Sequence, residues 1–244
     1  MSAEFSQILI EPAYRKVAAA IGERILSRSL RDGERLPSET ELARQFGVNR
    51  STVREALREL ESRGLVQRRP GSKLMSVSRP PQERIAAGVS DALLLHDVTV
   101  RDVWEALTIL EPPIAQAAAT NRTPADLERV GAAAAAYRGE QAETERAVQR
   151  TAQFFRSIGA ATHNPVLGLA QEPLLQLLEP SLRVMIDKVP QARSRIASAH
   201  RHLLEALARQ DEAAAVSWMA RHIRDFRKGY EIAGIDLGMR LTTA

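Results

Sequence analysis

Two groups of side chains in this 244-residue chain have the types and spacing to do chemistry. The first is Arg50-Ser51-Thr52-Val53-Arg54, followed by the basic stretch Arg68-Arg69-Pro70-Gly71-Ser72-Lys73. Guanidinium forks one helical turn apart can each donate twice to guanine O6 and N7, while neighbouring hydroxyls donate to phosphate or base. Arg50 and Arg54 are therefore the expected base contacts, with Ser51 and Thr52 beside them. The competing reading is a solvated helix face on which both arginines pair with Glu55 or Glu61. The second group is histidine: three of the five fall within 23 residues, and His200 and His222 stand eleven residues either side of Asp211. In an antiparallel helix pair turning at Asp211, those two imidazoles sit at similar height. His202 is rotated by ~200° from His200 and cannot face the same way.

Other chemistries are excluded by what is missing. There is no cysteine, hence no disulfide scaffold, zinc finger or cysteine nucleophile. Among 13 glycines there is no GxGxxG or Walker-type cluster, and no GxSxG elbow. No uncharged apolar run approaches the ~20 residues that span a bilayer, and Met1 to Arg15 does not resemble a signal peptide. A cytoplasmic protein without a membrane partner is expected. With 44% apolar residues rich in leucine and alanine but only 4% aromatics, the composition favours helices. The net charge of +4 is unevenly divided: residues 1–80 carry 15 Lys+Arg against 10 Asp+Glu, and the rest is nearly neutral. A polyanion partner for the first segment alone follows.

The elements that must position the arginines can be read from periodicity. Tyr14, Val17, Ala18, Ile21, Ile25 and Leu26 mark an amphipathic helix over 12–29, ended by Asp32-Gly33. Ser38 with Glu41 forms a capping box for a second helix that buries Leu42, Ala43 and Phe46 and stops at Gly47. Asn49 or Ser51 caps a third, running to Arg63, with Val53, Ala56, Leu57 and Leu60 inside. Leu65–Gln67 and Leu74–Val77 read as strands around the basic turn, where Gly71 lets the backbone approach the sugar–phosphate rails. Three helices and a basic hairpin make a winged helix-turn-helix. Ser78-Arg79-Pro80-Pro81 breaks it. A linker helix follows, with Ile85, Val89 and Leu93 as its apolar stripe. Helices over 99–120, 124–139, 140–162, 165–186, 191–209 and 212–232 then form a bundle of six, or seven with the linker.

GERLPSETELARQFGVNRSTVREALRELESRGLVQRRPGS resembles the reader head of the GntR family of bacterial transcription regulators, over about residues 12–78. That resemblance implies a homodimer on operator DNA, with contacts from Arg50, Ser51, Thr52, Arg54 and, at the wing tip, Gly71. Many relatives carry an arginine early in the second helix; Thr40 stands there, so the resemblance implies that a phosphate or base contact common in the family is missing and leaves the operator sequence open.

Residues 97–230 resemble the FCD ligand-binding domain of FadR-type GntR regulators, through VTVRDVWEALTILEPPIAQAAA, FFRSIGAATHNPVLGLA and AHRHLLEALARQDEAAAVSWMARHI. The resemblance implies a divalent-metal site, such as zinc, that helps hold a small carboxylate. Two of its ligands match His200 and His222. Thr151 replaces the carboxylate, Phe155 replaces a further histidine, and Leu107 replaces an arginine near the effector. Two protein ligands fall short of the usual three or four. The histidines then remain as core groups satisfied by each other, water or a hydroxyl, or as hydrogen-bond donors in a metal-free pocket lined by Leu107, Thr151, Phe155 and Met219. The expectation is a mainly α protein: a DNA-binding domain at 1–78, a linker at 79–96, and an effector-binding, dimerising bundle at 97–244. It is a non-enzymatic repressor without a resident cofactor, released by a hydrophobic or aromatic acid or acyl thioester. The alternatives are a metal-dependent sensor of a small carboxylate, a bundle metalloenzyme fused to a reader head, and a DNA-architectural protein without effector.

Overall fold

The computed structural model describes residues 11–242, which form two compact units divided between Pro81 and Gln82. The first unit contains α1 (Ala13–Leu26), α2 (Glu39–Phe46) and α3 (Arg50–Ser62), then the antiparallel strands β1 (Val66–Arg68) and β2 (Met75–Val77). Its core is the predicted stripe of α3, Val53, Ala56, Leu57 and Leu60, packed on Val17, Ala18 and Ile21 of α1 and Leu42 and Ala43 of α2. Spacings of three and four keep those α3 side chains on one face, which leaves the arginines on the other.

Several local details differ from the sequence reading. Ser38 Oγ accepts from the Glu41 backbone N–H at 3.2 Å, but the return half of the capping box is missing. The Glu41 carboxylate instead takes both nitrogens of the Arg44 fork, at 3.0 and 2.7 Å, because a charge-assisted pair outcompetes one amide. Asn49 caps α3 by position, without a side-chain bond. Phe46, the last residue before the left-handed Gly47 turn, is partly exposed rather than buried. The hairpin also gains an edge. Leu36 N–H donates to Met75 O at 2.9 Å and Val77 N–H to Glu34 O at 2.8 Å, so residues 33–36 run beside β2.

The second unit contains α4 (Gln82–Leu95), α5 (Val100–Asn121), α6 (Pro124–Glu140), α7 (Thr144–Ala161), α8 (Pro165–Lys188), α9 (Ala192–Ala208) and α10 (Glu212–Ala233). Reciprocal capping boxes start α5 (Thr99 with Asp102) and α6 (Thr123 with Asp126), and Asn164 and Asp211 cap α8 and α10. No described helix is long and apolar enough to cross a membrane. The α4 stripe is a correction. Among its described residues Ala86 and Ser90 are buried, and of the expected stripe Leu93 packs against the core whereas Ile85 and Val89 are exposed; the helix runs along α8. Small residues permit the close approach, and Ser90 Oγ donates to Gln176 Oε1 at 3.1 Å. The core runs through Leu107, Ile114, Phe154, Phe155, Leu182, Met219 and Phe226.

Candidate functional site

At the start of α3, Arg50 and Arg54 keep 60% and 52% of their side-chain surface exposed. Neither is ion-paired to Glu55 or Glu61; both meet Glu39, the first residue of α2. Arg54 Nη2 lies 3.0 Å from Glu39 Oε2, and Nε sits 3.3 and 3.4 Å from the two carboxylate oxygens. Arg50 Nη2 is 3.8 Å from the same Oε2. The Arg54 hydrogen bond is the main reason that the Glu39 carboxyl is held below its usual range. Thr40 and Ser51 are exposed and Thr52 is half-buried. Gly71 marks the wing tip with φ +76° and open space around it, flanked by exposed Arg68, Arg69 and Lys73. A helix N-terminus with two arginines and a basic turn forms a surface suited to a duplex groove and its phosphates. Glu39 was absent from the sequence reading, because a partner fifteen residues away on another helix leaves no periodic signal.

In the bundle, α9 and α10 bring His200 and His222 together, with ring centroids 5.5 Å apart and planes nearly perpendicular. Consecutive residues of α7 cover them: Phe154 stacks on His200 at 3.7 Å and Phe155 on His222 at 5.5 Å. Tyr137 of α6 meets His200 edge-on at 4.9 Å. Thr151 lies one turn before Phe155, but its hydroxyl donates back to Ala147 O at 2.8 Å. Leu107 and Met219 are buried in the same core. Both imidazoles are fully enclosed. Burial pushes the His222 pKa down to about 3; burial, then the neighbouring His222, lowers His200 well below its ordinary value. Both nitrogens of His200 and Nε2 of His222 have no hydrogen-bond partner. His202 faces outward, stacked on Trp218 at 3.7 Å, as helical rotation requires.

These residues do not fit a divalent ion. Phenyl rings occupy the flanks of both imidazoles, the nearby hydroxyl is committed to a carbonyl, and no carboxylate reaches the pair. Among the described residues, no three His, Asp or Glu side chains converge as a ligand set. Beside His222 a cavity of about 20 Å³ is lined by Met185, Ile196, Phe226 and Gly229, with Arg195 and Asp225 also on its wall. Elsewhere in the bundle, Glu111 of α5 is completely buried, and both its oxygens lie 3.0–3.1 Å from Gln171 Nε2 of α8. Desolvation pushes this carboxyl up to about 8, only partly offset by the amide.

A winged reader head with an arginine-bearing helix, joined to an all-helical bundle, defines a DNA-binding transcription regulator. The chain belongs to the FCD-domain regulators of the GntR family: the model "Bacterial regulatory proteins, gntR family" matches residues 13–74, and "FCD domain" matches 102–225. Among curated relatives, the HTH-type transcriptional regulator LutR of Bacillus subtilis is 28% identical over 84% of this chain and 97% of its own. The Uxu operon transcriptional regulator of Escherichia coli is 28% identical over 88% of this chain and 85% of its own. A solved GntR structure from Streptococcus agalactiae shares the fold with TM-score 0.65 at 23% identity, covering 88% of this chain and 99% of that one.

Proposed function

We propose that this regulator is a homodimeric, cytoplasmic repressor released from its operator by a hydrophobic or aromatic acid, or an acyl thioester, bound at the histidine pair. Residues 1–78 read DNA, with Arg50, Ser51, Thr52, Arg54, Thr40 and Gly71 facing it; 79–96 connect, and 97–244 sense and dimerise. The observation that carries the effector reading is the set of three buried, unpartnered imidazole nitrogens inside a cage of phenyl and phenol rings. A neutral imidazole offers one N–H and one lone pair, and leaving each buried polar atom unsatisfied costs about 1–3 kcal/mol. A carbonyl that accepts from an imidazole N–H recovers the donor share of that cost, a protonated carboxyl can also donate to a lone pair, and an apolar body suits the aromatic walls. Met185, flexible and lining the small cavity beside His222, is the side chain whose rotation enlarges it. Release of DNA then follows from linkage: an effector that binds one bundle arrangement better lowers operator affinity by the same factor.

The test is a thermal-shift panel of aromatic acids, fatty acids and acyl thioesters on chelator-treated protein. A ligand at 100 times its Kd stabilises by about 2.7 kcal/mol. The expected hit loses its effect in His222→Leu, survives in His202→Ala, and releases a duplex selected by the protein. Hits confined to small hydrophilic carboxylates that require added zinc, or one firmly held ion per chain in protein purified without chelator, would overturn this reading for the metal-dependent one.

A further inference from the structure

We propose that Glu39 is a positioning residue for base recognition: it grips Arg54 from the side so that the end of the guanidinium is presented to guanine, and it holds phosphate away from the same spot. The inference rests on the family's DNA-binding activity and on the groove-facing reading of α3. A guanidinium has five N–H groups: one on Nε and two on each terminal nitrogen. Glu39 takes the edge made by Nε and Nη2, with contacts of 3.0–3.4 Å. The edge made by Nη1 and the outer Nη2 hydrogen is not used by Glu39, and that end-on fork is the one matching guanine O6 and N7. A long exposed arginine samples many rotamers. A two-point carboxylate grip from another helix removes much of that freedom before DNA arrives.

The carboxylate has a second effect. It is only 23% exposed, lies within reach of Arg50 through the same Oε2, and is further held charged by Arg50 and Arg68. A fixed negative charge there lowers the appeal of this surface to any passing phosphate, which penalises non-specific binding more than a correctly seated guanine. Thr40 sharpens the consequence. With an uncharged hydroxyl at the next position of α2, Arg54 and Arg50 carry more of the discrimination. Glu39 is thus a specificity residue that need not touch DNA.

The experiment uses the full chain and duplexes selected from a randomised pool by the wild type, with a scrambled duplex as the non-specific probe. Glu39→Gln keeps the shape and drops the charge. Affinity for the scrambled duplex rises, the log–log salt slope steepens by about 1, and affinity for the selected duplex falls. Together these cut the specific-to-non-specific ratio about tenfold or more. A selection repeated with Glu39→Gln loses its guanine preference at one position per half-site. In an Arg54→Ala background Glu39→Gln no longer changes that preference. Unchanged thermal midpoints separate this from misfolding, and Glu23→Gln, which removes an exposed carboxylate of α1, keeps the wild-type selection. A Glu39→Gln protein with the wild-type ratio and base preference, or an equal loss of preference in both backgrounds, overturns the proposal. If the wild type selects no sequence at all, the groove assignment fails first, and the inference fails with it.

Discussion

Replacing Glu111 by glutamine should flatten one branch of the bundle's pH–stability profile. The folded bundle keeps this carboxyl neutral up to about pH 8, because burial removes it from water and only Gln171 Nε2 is placed to soften the loss. In the unfolded chain the same group ionises near its ordinary 4.5. Between those values the unfolded state has released a proton that the folded state still holds, so stability falls as pH rises. Each pH unit in that window costs up to about 1.4 kcal/mol, and the whole displacement has a ceiling of about 5 kcal/mol. Relaxation and water entry at high pH reduce this to a few kcal/mol. Glu111→Gln has nothing to ionise. Its extra N–H adds a constant offset of about 1 kcal/mol that does not vary with pH. Both tryptophans, Trp104 and Trp218, lie in the bundle, so their fluorescence in urea titrations follows this unit without interference from the reader head. The quantity to plot is variant minus wild-type stability at pH 5, 6, 7 and 8, in which every other titrating group cancels. It should rise steadily toward pH 8. Parallel curves for the two proteins would refute the buried neutral carboxyl.

Two further outcomes concern the reader head. Arg50→Ala should weaken the selected duplex by about 1–3 kcal/mol while barely altering the scrambled duplex beyond one phosphate-equivalent of salt slope, measured by fluorescence anisotropy. Gly64→Ala should destabilise the head by more than about 1 kcal/mol, seen by circular dichroism as an earlier first melting transition. Gly64 has φ +73°, and an added Cβ would sit 2.8 Å from Pro80 Cβ.

What could be read from the sequence was local. The α3 stripe Val53, Ala56, Leu57 and Leu60, the Ser38 cap and the Gly47 stop are set within one or two turns, and they appear where periodicity put them. The meeting of His200 and His222 was also legible, because distance from the Asp211 turn fixes height in an antiparallel pair. Contacts between distant helices were not. Glu39 and Arg54 are fifteen residues apart, Glu111 and Gln171 sixty, and only interhelical packing decides that they touch. Glu111 did leave a trace, as an acid three and four residues from the buried Ile114 and Leu107. The α4 stripe held at Leu93 but failed at Ile85 and Val89 for the opposite reason: the larger apolar residues suggested the buried face, yet there the α8 surface accepts the small ones, Ala86 and Ser90.

The aromatic cage gives Thr151 and Phe155 a joint physical role. A cation at this histidine pair would need further ligands and an open approach, and neither the Thr151 hydroxyl, bonded to Ala147 O, nor the Phe155 ring supplies them. Two imidazoles in an apolar core that water could enter would protonate at mildly acidic pH and destabilise it. Phe155, with Phe154 beside it and Tyr137 on the far side, seals that space and keeps both rings neutral. Two adjacent residues of one helix would normally point about 100° apart, and here each finds its own imidazole because the pair spans that angle with perpendicular rings. The cage therefore stabilises neutral hydrogen-bonding nitrogens at the centre of the bundle, where a metal site would have stabilised charge. For the effector proposed above, this sets the chemistry: its carbonyl would accept from an imidazole N–H inside an apolar envelope.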